Sequence, residues 1–270
     1  MRVTHTARGP RAEVLLIAHG SPDPGSREEL RALRSLVAAR LAEGERRLPS
    51  TRGREIEVAL GVLEFPGPDL PPVGAALAAL ASRGPVVAQP LLLFDGLHAH
   101  HDLPRLTADA CRLGLQVQVG GPFGWEPALL DLAVERVAAA APGPDDLLLF
   151  VGRGSSDPQA REETEEVAAL VASRLGLEHL VCYTGISPPL LADGARLALA
   201  RRPRRLLALP YLLHRGVLTR RVSEVLGPAA ERGRTPLAVL PHLGNAPQVV
   251  ETVASRVEAL MAGGPGGGGG

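Results

Sequence analysis

The 270-residue chain has only two cysteines, Cys111 and Cys182, far apart and in no C-x-x-C arrangement. Neither a disulfide scaffold nor a cysteine zinc site is supported, and a reducing cytoplasm is compatible with so few thiols. Charge of one sign is also missing. Lys plus Arg and Asp plus Glu both number 29, and without a basic stripe nucleic acid is not expected as a partner. No window approaches 18 uninterrupted apolar residues, so no membrane span is expected. The opening "MRVTHTARGPRAE" lacks the apolar core of a secretory signal, and the expected location is the cytoplasm. No Rossmann G-x-G-x-x-G, Walker loop, H-E-x-x-H or G-x-S-x-G motif occurs, which argues against a dinucleotide, ATP and the common hydrolytic sites.

What the chain does have is a recurring plan. Apolar runs lead through Gly-containing turns into segments with helical spacing. "EVLLIAHGS" (Glu13–Ser21), "EVALGVLE" (Glu57–Glu64), "PVVAQPLLLF" (Pro85–Phe94) and "LQVQVG" (Leu115–Gly120) head four such β–α units. The runs are continuous rather than alternating, as in strands buried on both faces of a parallel sheet. The plan then repeats. "DLLLFVGRGSSDP" (Asp146–Pro158) parallels "EVLLIAHGSPDP", about 134 residues earlier. "LVCYTGIS" (Leu180–Ser187) parallels "EVALGVLE", "RLLALPYLLHRGVLTRRV" (Arg205–Val222) parallels the third unit, and Leu240–Leu260 parallels the fourth. The expectation is two homologous α/β domains, 1–141 and 142–262, meeting near the Pro/Gly linker "APGPD" (Ala141–Asp145), with a flexible Gly-rich tail at 263–270.

The halves differ where chemistry would sit. His19 in "AHGS" is matched with Arg153 in "GRGS", Glu64 with Ser187, and His98 with Leu218. Parallel sheets gather ligands outside the carboxyl ends of their strands, so His19, Glu64 and His98 are expected on one rim of the first sheet. Two imidazoles and a carboxylate suit Fe²⁺, Co²⁺, Ni²⁺ or Zn²⁺, and the same groups can accept protons near neutral pH. Their absence from the second half marks one working site and one degenerate copy. Either one of His100 and His101 assists metal delivery, or both sit on the first turn of a solvated helix. Gly20 and Ser21, between strand and helix, offer backbone N–H groups to an anion, and "GRGSS" (Gly152–Ser156) offers the same with Arg153 added.

The stretches "LLIAHGSPDPGSREEL", "VALGVLEFPGPDL" and "PLLLFDGLHAHHDLPRL" resemble the three signature regions of the sirohydrochlorin chelatases, the ATP-independent class of tetrapyrrole chelatases. The resemblance rests on His19-Gly20-Ser21, Leu63-Glu64, and Gly96-Leu97-His98 with Asp102-Leu103-Pro104, and extends over nearly the whole chain. It implies two flavodoxin-like lobes, each a parallel sheet with flanking helices, facing each other across a cleft. It also implies insertion of Co²⁺ or Fe²⁺ into sirohydrochlorin, toward cobalamin or siroheme, with His19 and His98 binding metal and acting in catalysis. Histidines between His98 and Asp102, where the family often has basic or mixed residues, bear on metal preference. No cysteine-rich segment accompanies the motifs, so no iron–sulfur cluster and no organic cofactor are expected. With both halves fused, a monomer is expected. Gly20, Ser21 and Arg153 are candidate contacts to the substrate's carboxylates. A chelatase for Ni²⁺ or another tetrapyrrole, a non-catalytic carrier of metal or tetrapyrrole, and a two-lobed solute-binding protein are the alternatives.

Overall fold

The structure is a computed structural model describing residues 11–45, 55–81, 83–94 and 103–263. Among the described residues strands and helices alternate: β1 (Arg11–Ala18), α1 (Pro24–Glu45), β2 (Glu55–Val62), α2 (Val73–Ala81), β3 (Val86–Pro90), α3 (Leu103–Arg112), β4 (Val117–Val119) and α4 (Pro127–Ala138) make the first half. The second half follows with β5 (Asp146–Gly152), α5 (Pro158–Leu175), β6 (Glu178–Tyr183), α6 (Leu191–Ala200), β7 (Arg205–Pro210), α7 (Val217–Gly233), β8 (Leu237–Val239) and α8 (Pro247–Gly263). Each half forms one parallel four-stranded sheet, ordered β2-β1-β3-β4 and β6-β5-β7-β8. The two parallel sheets with flanking helices are the architecture expected from the continuous apolar runs.

The central strands carry the apolar runs because both of their faces are covered. Val14 to Ala18 and Leu147 to Val151 expose 1% of their surface or less, as strands sandwiched between helix layers must. The third run ends as a strand sooner than its apolar length suggests. β3 stops at Pro90, and Leu91 to Phe94 continue as loop. Proline has no N–H to extend the ladder, and the same break recurs at Pro210, the last residue of β7.

Sequence halves and packing layers do not coincide. Helix α8 packs on α1 and β3 of the first sheet, while α4 packs on α5 and β7 of the second. Each half therefore lends its last helix to the other. Arg40 on α1 donates two hydrogen bonds to Glu251 on α8, both at 2.6 Å, and one to Glu258 at 3.1 Å. Arg174 on α5 reaches Asp131 on α4 at 2.5 Å. Apolar side chains of both sheets and of α1, α4, α5 and α8 consequently join in one continuous core, from Val14 and Leu33 through Leu130 and Val253 to Phe150 and Leu209. The outer faces keep separate cores under α2 and α3, and under α6 and α7.

Candidate active site

In each sheet the chain leaves the first strand on one side and returns on the other, so a crevice opens at the carboxyl ends of β1 and β3, and of β5 and β7. The two crevices face each other and form a cleft of about 640 Å³ between the lobes. His19, Gly20, Ser21 and Arg153 all line it.

Beside the first crevice, two backbone bonds tie the turn after β2 to the turn after β1: Leu63 N–H to the Ala18 carbonyl at 3.0 Å and Glu64 N–H to the His19 carbonyl at 2.8 Å. They bring His19 and Glu64 side by side. The Nε2 atom of His19 lies 3.9 Å from Oε1 of Glu64, and Nδ1 lies 3.1 Å from the Gly20 carbonyl. A carbonyl only accepts, so this contact is a hydrogen bond in the tautomer protonated on Nδ1, whose Nε2 atom is the one nearer the carboxylate. Two acceptors at this separation suit a shared cation, since metal–N and metal–O bonds of about 2.0–2.2 Å span it. Both side chains are accessible, His19 at 27% and Glu64 at 47%, as an exchanging ion requires. His98, His100 and His101 lie outside the described residues. Among the described residues no third His, Cys, Asp or Glu completes a metal-ligand group.

The second crevice repeats the backbone and replaces the chemistry. Thr184 N–H bonds the Gly152 carbonyl at 2.9 Å and Gly185 N–H bonds the Arg153 carbonyl at 3.2 Å. Arg153 thus stands where His19 does. These bonds also correct the sequence pairing: the counterpart of Glu64 is Gly185, two residues before Ser187. The turns are bound through backbone atoms, so apolar alignment of β2 with β6 does not fix the register beyond the strand. Ser187 instead ties its own turn to the one after β5, its hydroxyl accepting from Ser155 N–H at 2.9 Å and donating to the Ser155 carbonyl at 2.7 Å. At the Glu64 position the second half has no side chain at all.

Arg153 lines the cleft between the lobes. Desolvation by the surrounding walls pulls its guanidinium below the ordinary value, and the charge of Glu64 opposes that pull. It is a cation of the second lobe that senses the first lobe's carboxylate. The anion-binding reading of Ser21 needs adjusting, because its hydroxyl already accepts from Asp23 N–H at 3.2 Å, and Asp23 caps Gly25 N–H at 2.8 Å. The start of α1 is therefore neutralised by its own carboxylate. Asp23 in turn sits 3.4 Å from Arg220 and 3.9 Å from Arg215 of the second lobe, ion pairs that join the two lobes. Glu29 strengthens that seam: it accepts from His242 at 2.8 Å and from the Arg215 N–H.

Sequence reasoning misses the apolar walls. Phe94 stacks on Tyr211 with ring centroids 6.1 Å apart, and Tyr211 rests on Phe150 at 5.0 Å. His214, the repeat counterpart of Phe94, lines the cleft with both ring nitrogens inaccessible and, among the described residues, without hydrogen-bond partners. A histidine in place of an aromatic residue in the matched loops is the signal that could have found this wall.

A model described as CbiX matches the chain twice, over residues 13–140 and 147–260. The chain belongs to the CbiX family. The match bears out the resemblance drawn from the motifs. A sirohydrochlorin ferrochelatase of Priestia megaterium is 34% identical over 142 residues, covering 51% of this chain and 53% of that protein. A sirohydrochlorin cobaltochelatase of the same organism is 25% identical over 228 residues, covering 79% of this chain and 68% of its own length. The first relative is thus matched over about half its length. The crystal structure of the sirohydrochlorin chelatase SirB from Bacillus subtilis subspecies spizizenii, in complex with cobalt, superposes with a TM-score of 0.72 at 19% identity, covering 95% of this chain and 98% of that one. That likeness shows the fold of this CbiX-family chain to be the two-lobed one.

Proposed function

We propose that this CbiX-family chain is a sirohydrochlorin chelatase, inserting Co²⁺ or Fe²⁺ into the macrocycle without ATP. The observation that carries the reading is the His19–Glu64 pair at one rim of the cleft, facing a second rim where Arg153 and Gly185 stand instead. Insertion exchanges one divalent ion for two pyrrole protons, so the site must hold a cation, release it, and take up protons. His19 Nε2 and the Glu64 carboxylate bind the ion as it sheds water. As it passes to the macrocycle they become free to accept the protons. His98 completes the set in this reading, as its place after the third strand suggests. Arg153 pairs with the substrate's carboxylates, and the backbone around Gly20 and Ser21 adds contacts.

The remaining expectations belong to the same proposal. The chain works as a monomer, because its two repeats already share one core. It uses no organic cofactor and no iron–sulfur cluster, and acts in the cytoplasm, where the free thiols of Cys111 and Cys182 persist. No helix among the described residues is long and apolar enough to cross a membrane.

The test mixes purified protein with sirohydrochlorin and Co²⁺ or Fe²⁺ and follows the change in absorbance. Metallation well above the spontaneous rate is expected, with His19→Ala and His98→Ala each slowed about 10²-fold or more, the usual scale for losing a positioned ligand or base. A wild-type rate equal to the spontaneous one refutes the chelatase. Saturable binding without turnover makes the chain a carrier.

A further inference from the structure

The metal-handling side chains differ between the two crevices, but one feature is the same in both. Phe65 follows Glu64 and Ile186 follows Gly185, so the two occupy equivalent positions in the matched turns. Both have left-handed backbone, φ 53° and 64°. Both are large, apolar and open to solvent, at 46% and 69% exposure, and both line the cleft, one from each lobe.

Each fact alone has an ordinary explanation, since single exposed apolar residues are common. Together they do not. A left-handed conformation suits Gly or Asn, and for a β-branched residue such as Ile186 it is a true outlier. A structure that keeps such strain twice, at symmetric positions in a ligand cleft, stores it where function uses it. Both side chains line the space between the lobes and are not buried in their own lobe's core. Metal needs to enter a macrocycle from one face only, which agrees with ligands on one rim. A flat conjugated ring has two apolar faces, and needs apolar contact from both rims.

We propose that Phe65 and Ile186 form an apolar pincer that packs on opposite faces of the tetrapyrrole and sets its affinity, leaving metal handling to the first lobe. The proposal rests on the chelatase reading. The chemistry of recognition is area burial on a conjugated plane, distinct from the carboxylate contacts at the ring's periphery.

The experiment uses the full chain with Phe65→Gly, Ile186→Gly and the double variant, and with Phe65→Asn and Ile186→Asn as partners that keep the turn. Glycine and asparagine tolerate positive φ, so thermal midpoints should hold or rise, which reports intact folding. Metal-free sirohydrochlorin is titrated by its fluorescence, and Co²⁺ insertion is measured at varied tetrapyrrole and varied metal. Each single variant should raise the tetrapyrrole Kd and KM about tenfold, and the double variant about 30- to 100-fold, in keeping with the loss of a buried apolar side chain. The kcat should stay within about threefold and the KM for Co²⁺ should not move. Unchanged tetrapyrrole Kd in folded variants overturns the pincer while wild-type turnover keeps the chelatase standing. A fall in kcat with intact KM overturns it equally. A wild-type protein that neither binds nor metallates sirohydrochlorin removes both.

Discussion

A Cβ atom placed on Gly20 would lie 2.0 Å from the carbonyl oxygen of Glu64. The turn after β1 and the turn after β2 touch through that gap, and the touch is what sets His19 beside Glu64. Gly154 repeats it against the Gly185 carbonyl, also at 2.0 Å, and both glycines have φ 91°.

This pair gives a controlled comparison. Gly20→Ala and Gly154→Ala combine a forbidden contact with a strained φ, and each should cost on the order of 2–4 kcal/mol of stability by denaturant titration. The stability losses should be similar, but the effect on metallation should not. Gly20→Ala displaces His19 and Glu64 and should lower kcat/KM at least tenfold beyond Gly154→Ala, measured well below the melting temperature of both variants.

Arg153 offers a test of the second lobe's role. Replacing it with Leu removes the cleft cation that faces Glu64. KM for sirohydrochlorin should rise about tenfold, the scale of one charge-assisted contact of about 1.5 kcal/mol, while KM for Co²⁺ should stay or fall. A raised metal KM with an unchanged tetrapyrrole KM would place Arg153 in the wrong role.

Stability should depend on pH through His214. Burial pushes its imidazole down from 6.5 to about 4, with nearby His242 adding to the shift and Glu29 opposing it. Between those values the unfolded chain binds a proton that the folded one refuses, so stability falls as pH drops from about 6.5 toward 4. The loss approaches about 3 kcal/mol. Glu29 acts in the same direction at lower pH: burial raises its carboxyl, but the His242 bond and the Arg215 N–H outweigh burial and hold it below 4.5. Urea titrations at pH 7.5 and 5 should show the decline, and His214→Phe, which installs the residue of the other repeat, should flatten most of it.

The exchanged helices predict how the chain can be divided. Residues 1–141 alone lack α8 on β3, and residues 142–270 alone lack α4 on β7. Each fragment should be loosely packed, with weak near-ultraviolet circular dichroism and dye-binding apolar surface. Mixing the two should restore a compact one-to-one complex. Two independently cooperative fragments would contradict the shared core.

The strand pattern, the parallel sheets and the repeat were legible in the sequence, because a strand buried on both faces must be apolar throughout and such runs can be counted. The motifs around His19 and Glu64 were legible for a related reason: a strand's end fixes which rim a residue occupies. The pairing of Glu64 with Gly185 was not, since it depends on carbonyls and N–H groups that every residue carries alike. Nor was the exchange of α4 and α8. An amphipathic helix declares that one face needs cover, as Leu130 and Val253 do, but not which sheet supplies it. The cleft walls were hidden for the same reason. Nothing in the sequence singles out Phe65 and Ile186, and only the folded chain brings residues 121 positions apart to line one cleft. Sequence determined the units and the chemistry they carry; the packing of one half on the other decided the space in which that chemistry works.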